Sequence, residues 1–239
     1  MKQFNTEVWT ENSGKNNSVA SNVFYSMEKD MKTCYIFGAL DCSVTDFNPH
    51  ESDLIIAADG GYSTLTKLNI KPDLVVGDFD SLGSIPENEN VVKHPVKKDD
   101  TDTLLAVKIG LEKGYKTFII YGAIGGRLDH TVATIQTAAF VAENGGIAYI
   151  CDDNHTVTAI KNSSIKFKDT AKGYISVFAL SGIAKGVTIK GLLYELDNAE
   201  ISPDFPLGVS NEFIGRDSEI SVTDGVLTII FEGNKDLIK

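Results

Sequence analysis

The chain has 239 residues, 42% of them apolar and 23% charged, the make-up of a globular protein with room for one large domain or two modest ones. Its formal net charge of -11 disfavours nucleic-acid backbones and anionic membrane surfaces as partners, although a small phosphorylated ligand carried in with a divalent cation stays compatible. No apolar run reaches the roughly 18 residues of a membrane span. No basic-then-apolar leader opens the sequence, and Cys34, Cys42 and Cys151 lack the spacing of a disulfide framework or a CxxC site, which points to a reducing, cytoplasmic setting.

Residues 1–30 are polar, rich in Asn and Ser and without a sustained period, so they read as a poorly ordered N-terminal extension that also carries Trp9. From Cys34 to Cys151 short apolar runs alternate with helical patterns. CYIFG at 34–38, LIIAAD at 54–59, DLVVGD at 73–78, FIIYG at 118–122 and IAYIC at 147–151 read as buried strands. Two helices are predicted between them, one with Leu104, Val107, Lys108 and Leu111 on its apolar face, the other with Leu128, Val132, Ile135 and Ala139. The alternation predicts a mostly parallel sheet flanked by helices over residues 31–153. After His155 come short alternating strands, among them YISVFAL, GVTIKG, EISVT and VLTIIFE, so residues 154–239 are predicted to form an antiparallel β-sandwich. The fold class is therefore α/β, with the sandwich as a second domain.

Ligands of open parallel sheets bind outside the carboxyl ends of the strands, and acidic residues occupy those ends here. Asp59 closes LIIAAD and precedes Gly60 and Gly61; Asp78 and Asp80 follow LVVG; Arg127 and Asp129 follow FIIYGAIGG. Any one aspartate reads equally as an N-cap or turn residue. Asp78 and Asp80 together are different: two unit charges about 4 Å apart repel by about 4 kcal/mol at an effective dielectric constant near 20, which calls for a counter-ion such as Mg2+. KKDDTDT at 97–103 adds Asp99, Asp100 and Asp102, with Thr101 or Asp102 placed to start a helix and Lys97 and Lys98 upstream as a phosphate contact or a solvated pair. GAIGGRLDH at 122–130 brings glycines and a helix N-terminus, without the lysine of a P-loop or the dinucleotide fingerprint. Arg127 can grip phosphate and Asp129 can bind metal or accept a proton, while His130, in a first helical turn, reads as structural.

Taken in order, ADGG at 58–61, PDLVVGDFDS at 72–81, KDDTDT at 98–103, GGRLDH at 125–130, GLLYEL at 191–196 and PLGVSNEF at 206–213 resemble the motif series of thiamine pyrophosphokinases. The likeness covers about residues 33–232. It implies a homodimer with active sites between subunits, an α/β domain that binds ATP and Mg2+, and a sandwich that helps to hold thiamine. The implied reaction moves the diphosphate of ATP to the thiamine hydroxyl and leaves AMP. By the same resemblance Asp78, Asp80 and Asp102 are the metal ligands; Asp59, Gly60, Lys98, Asp99, Thr101 and Arg127 line the nucleotide; and Asp129 orients the thiamine hydroxyl or takes its proton. Ser210 and Asn211 would hydrogen-bond the aminopyrimidine, and Tyr194 would stack on a ring or else pack in the core. The residues alone leave two other readings open: a metal-dependent phosphoesterase, and a non-catalytic nucleotide or vitamin sensor.

Overall fold

In a computed structural model of the chain, residues 32–44, 47–77 and 100–239 are described, together with the main chain of 91–93. The N-terminal extension lies outside them, as do Asp78, Asp80, Lys98 and Asp99. The apolar runs form six parallel strands: β1 (Thr33–Phe37), β2 (Leu54–Ala58), β3 (Leu74–Gly77), β4 (Val91–Lys93), β5 (Thr117–Tyr121) and β6 (Ile147–Cys151), in the order β4-β3-β2-β1-β5-β6. Helices α1 (Gly61–Lys67), α2 (Asp102–Glu112) and α3 (Leu128–Glu143) make the crossovers that parallel neighbours require.

The sheet does not stop at β6. Strand β7 (His155–Lys161) pairs antiparallel to β6, and β14 (Val226–Glu232), β9 (Tyr174–Phe178) and β12 (Gly208–Glu212) extend the row to ten strands. A second sheet, in the order β11 (Leu196–Ile201), β10 (Ala184–Lys190), β13 (Ser218–Ser221) and β8 (Ser164–Phe167), completes the sandwich. The α/β fold with a C-terminal antiparallel sandwich is thus as the sequence implies, and the sandwich is built on the far half of the same long sheet. Residue 153 lies in the turn between β6 and β7, and residues 32–239 form one compact unit.

Period-two alternation explains how one sheet serves two cores. On β14, Val226 joins the helix-side core while Leu227, Ile229 and Phe231 join the core between the sheets. There Phe231 meets Phe167 of β8 at 5.1 Å between ring centroids. Val157 and Ala159 of β7 pack on the helix side, and Ile160 on the other.

Both helices place part of the predicted stripe on the core, Val107 and Leu111 on α2 and Ile135 and Ala139 on α3, and add small residues beside it. On α2 the buried residues are Leu105, Ala106, Val107 and Gly110, so of the predicted stripe only Val107 is fully covered. The cause is Gly110, which lies against the Phe118 ring and Cys34: a Cβ there would come within 2.5 Å of Phe118. The helix approaches the sheet through its smallest residue, which a count of large side chains passes over. On α3 the buried face is Thr134, Thr137, Ala138, Ala139, Val141 and Ala142, whereas Leu128 is 77% and Val132 48% exposed. Small residues again give the close contact, and the first turn of α3 projects apolar side chains outward.

Gly61, at the start of α1, tests this close packing, since a Cβ there would stand 1.8 Å from the Phe37 carbonyl oxygen at the end of β1. Gly61→Ala is expected to lower stability by about 1–3 kcal/mol through overpacking. Urea unfolding should show a lower midpoint with an unchanged slope; an unaltered midpoint would refute the close approach.

Candidate active site

Strand β1 pairs with β2 on one side and β5 on the other, so the chain reverses its direction of travel across the sheet between β1 and β5. Loops leaving the carboxyl ends of such a pair diverge and open a crevice. Here Gly38 N–H donates to Tyr121 O at 2.7 Å and Leu40 N–H to Gly122 O at 2.9 Å, which binds the two exits together at their base. A Cβ on Gly38 would stand 2.5 Å from Gly122 O, and Gly122 has φ +64, so neither position takes a side chain without displacement. Above this junction is a cleft of about 220 Å3, lined by Gly38, Ala39, Leu40, Ala58, Asp59, Thr101, Asp102, Thr103, Gly122, Ala123, Gly125, Arg127, His130 and Thr134.

Two of the predicted carboxylates converge on it. Asp59 follows β2 in a left-handed conformation, φ 52, held by its N–H donating to Val76 O at 2.8 Å. Aspartate tolerates that region better than most residues, and backbone strain at such a position goes with function. Asp102 opens α2 behind Thr101, whose Oγ1 accepts from the Leu104 N–H at 3.2 Å as an N-cap. Both reach the same point at the end of β3: a Cβ built on Gly77 would lie 3.3 Å from the Asp59 Cα and 3.9 Å from the Asp102 Oδ2. Gly60 caps the first turn of α1 beside Ala39 and is not among the lining residues.

The GAIGGR loop closes the other wall. Thr131 Oγ1 accepts from the Gly125 N–H at 3.0 Å and lies 3.0 Å from Gly125 O and 3.1 Å from Arg127 O, so one hydroxyl clasps the loop to α3. Arg127 is extended at the N-cap of α3 and gives it no side-chain cap, while in the first turn the His130 N–H donates to the Asp129 carboxylate. The Arg127 guanidinium grips Asp129, with Nη2 to Oδ2 at 2.6 Å and Nε to Oδ1 at 3.2 Å. That bond holds the Asp129 carboxyl below the usual carboxylate range and raises Arg127 above its ordinary value. Both side chains are well exposed, so the pair is a poised contact with little bearing on stability.

No group of three or more His, Cys, Asp or Glu is placed to hold a metal ion among the described residues. The donors there are the oxygens of Asp59 and Asp102, which is the hard-ligand chemistry that magnesium takes while it keeps waters and phosphate oxygens.

The predicted thiamine residues lie elsewhere, on the sandwich. Tyr194 is 64% exposed, so it is not a core residue. Asn211 is buried, and its amide is engaged with main chain: Oδ1 accepts from the N–H groups of Tyr194 and Glu212, each at 2.9 Å, and Nδ2 donates to Tyr194 O at 2.6 Å. Asn211 therefore clamps the backbone that carries Tyr194. Ser210 is exposed, with φ 59, at a register shift between Gly208 and Asn211 on β12, and its N–H donates to Ser176 Oγ at 3.1 Å. None of the three lines the cleft.

Several lining residues escape the sequence reading. Gly38 carries a signal, a glycine directly after the apolar run of CYIFG, but Leu40 and Thr134 carry none. Thr131 and Thr134 belong to a helix in which threonine reads as neutral filling.

The thiamin pyrophosphokinase catalytic-domain family model matches residues 49–149, and the vitamin B1 binding-domain model of the same enzyme matches residues 162–227. Thiamine pyrophosphokinase of Bacillus subtilis is 33% identical over 188 residues, covering 75% of this chain and 87% of the relative. Its crystal structure superposes with a TM-score of 0.73 at 28% identity, over 85% of this chain and 100% of the other. Yeast thiamin pyrophosphokinase, at 16% identity and a TM-score of 0.68 over 85% and 87% of the two chains, shares the fold. On the strength of the Bacillus relative and both domain matches, the chain belongs to the thiamine pyrophosphokinase family.

Proposed function

We propose that the cleft takes ATP with magnesium, and that the chain transfers the terminal diphosphate of ATP to the hydroxyl of thiamine to give thiamine diphosphate and AMP. The observation that carries this reading is that Asp59 and Asp102 both line the cleft that opens at the sheet's switch point between β1 and β5, in a chain of this family. A phosphoesterase or a sensor on the same fold would leave the sandwich motifs GLLYEL and PLGVSNEF without a task.

Asp59 and Asp102 would hold the metal, joined by Asp78 and Asp80, which follow β3 in sequence. When bound, magnesium neutralises phosphate charge and makes the attacked phosphorus more electrophilic. The chain's own groups do the rest. Arg127, at the N-terminus of α3, receives phosphate oxygens and Thr101 lines the nucleotide, a set that by the motif resemblance Lys98 and Asp99 would join. Once Arg127 turns to phosphate, Asp129 is released to orient the thiamine hydroxyl and accept its proton as that oxygen attacks the β-phosphorus. The bond between the β-phosphorus and the bridging oxygen breaks, and AMP departs with that oxygen.

Thiamine would rest against Tyr194 and Ser210, with Asn211 fixing the Tyr194 backbone. Within one chain the cleft's lining includes neither these residues nor their neighbours. This separation supports a homodimer in which the sandwich of one subunit completes the cleft of the other. Exposed apolar residues support the same view: Leu128 and Val132 beside the cleft, and Phe205, Leu207 and Val209 on the sandwich. The two family matches, ending at 149 and resuming at 162, support a catalytic unit of residues 31–153 and a thiamine-binding unit of 154–239. No described helix is long and apolar enough to cross a membrane, and the three cysteines are free, as suits the cytoplasm.

Purified protein with ATP, Mg2+ and thiamine should yield AMP and thiamine diphosphate in equal amounts by chromatography. Asp102→Asn and Asp129→Asn should each lose about a hundredfold or more in turnover, with unchanged circular dichroism. ADP or free phosphate as product, or near-normal rates in both variants, would refute the assignment.

Asn211→Ala removes a side chain that satisfies two part-buried main-chain N–H groups. It is expected to destabilise by about 2 kcal/mol in urea titration and to raise the thiamine KM. Mixed with Asp102→Asn at low thiamine, it should give more activity than the two variants separately, since a heterodimer then holds one intact composite site. Simple additivity would place both halves of the site in one subunit.

A further inference from the structure

The KDDTDT segment holds three carboxylates within four positions, Asp99, Asp100 and Asp102, yet the described ones part company: Asp102 lines the cleft and Asp100 does not. Asp100 is engaged by Lys108, two turns further along α2, whose Nζ donates to Oδ1 at 2.8 Å and to Oδ2 at 2.7 Å. Side-chain exposures of 38% for Lys108 and 30% for Asp100 set the pair apart from freely solvated surface bridges. The same ammonium lies 5.9 Å from the centroid of the Phe140 ring on α3, within cation–π range. One lysine therefore touches the entry to α2 and the helix beside it.

We propose that Lys108 is a positioning residue for the nucleotide site, acting by holding Asp100 away from the cleft so that Thr101 caps α2 and Asp102 faces inward. The proposal rests on the reading of Asp102 as a ligand of the metal-nucleotide complex. The geometry follows from chain connectivity. Asp100 precedes the cap and Asp102 follows it, so fixing the Asp100 carboxylate against Lys108 constrains the backbone on one side of Thr101. The cap bond to the Leu104 N–H and the helix bond from the Leu105 N–H to Thr101 O, at 2.9 Å, constrain it on the other. The bridge also supplies a cation to Asp100, so this carboxylate neither repels its neighbours at full strength nor competes for a cation in the cleft. Neither role is visible from the pattern alone, where Lys108 reads as a snorkelling lysine on an apolar face.

Amide hydrogen exchange and calorimetric titration with Mg2+-ADP test this on the intact protein. Lys108→Gln and Asp100→Asn are expected to speed exchange at Leu104 and Leu105 about tenfold more than at Ile120 in β5, and to weaken Mg2+-ADP binding about tenfold, the usual cost of losing a group that orients a ligand. Lys108→Arg, which keeps a cation in reach of Asp100, should restore both readouts to within a few-fold of the parent. Unchanged exchange and affinity in Lys108→Gln would overturn the proposal. So would equal acceleration at Leu104 and Ile120 with affinity retained, because that marks a contribution to overall stability alone. Failure of the parent protein to bind Mg2+-ADP would count against the nucleotide reading of the cleft, and the ratio of Leu104 to Ile120 exchange would then decide the role of Lys108 by itself.

Discussion

Two backbones run side by side where β1 and β5 end, and the site depends on that approach. Gly38 and Gly122 meet with no room for a Cβ, and main-chain hydrogen bonds from Gly38 and Leu40 lock the two exits. The walls of the cleft are continuations of these exits: Ala39 and Leu40 on one side, the GAIGGR loop and the start of α3 on the other. A wider junction would separate Asp59 from Arg127, since each is fixed to its own strand by connections of only one to six residues. The rigid sheet thus sets the spacing of charged groups more firmly than any contact between those groups.

Charge is arranged on this frame in opposing ways. At the end of β2 and the start of α2, Asp59 and Asp102 both line the cleft with like charge. At the start of α3, Arg127 and Asp129 neutralise each other through a bidentate contact in water. That contact keeps the guanidinium and the carboxylate occupied with one another at the mouth of the cleft. The Asp100–Lys108 bridge belongs to neither class, since it takes one carboxylate out of the acidic set.

The strand runs and the acidic strand ends were legible in the sequence because both follow from strong local rules: apolar runs bounded by glycine, and aspartate at the C-terminal rim. The helix faces were less so. Leu128 and Val132 satisfy the amphipathic spacing but stand exposed, because α3 meets the sheet through Thr134, Thr137 and Ala138. Hydrophobic size predicts burial only where packing distance is unconstrained, and short distances reverse the preference toward small residues. The role of Asn211 was hidden for another reason. A polar residue in a ligand-binding motif reads as a ligand contact, and the motif does not reveal that Asn211 also makes three hydrogen bonds to main chain, two of them to the backbone of Tyr194.

The Asn211 clamp bears on how two substrates are brought together. The nucleotide half and the thiamine half stand on one ten-stranded sheet, joined through β6, β7 and β14, and packed on both faces at β7 and β14. Such a sheet has little freedom to bend its sandwich end over the cleft at its other end. Closing the distance within one chain would require breaking strand pairs or one of the two cores, each far more costly than burying the exposed apolar residues of α3 and the sandwich against a second subunit. In the homodimer proposed above, the stiffness that keeps the two halves apart in one chain would let them be set in register across a two-fold axis, one rigid body presenting thiamine to the diphosphate held by the other.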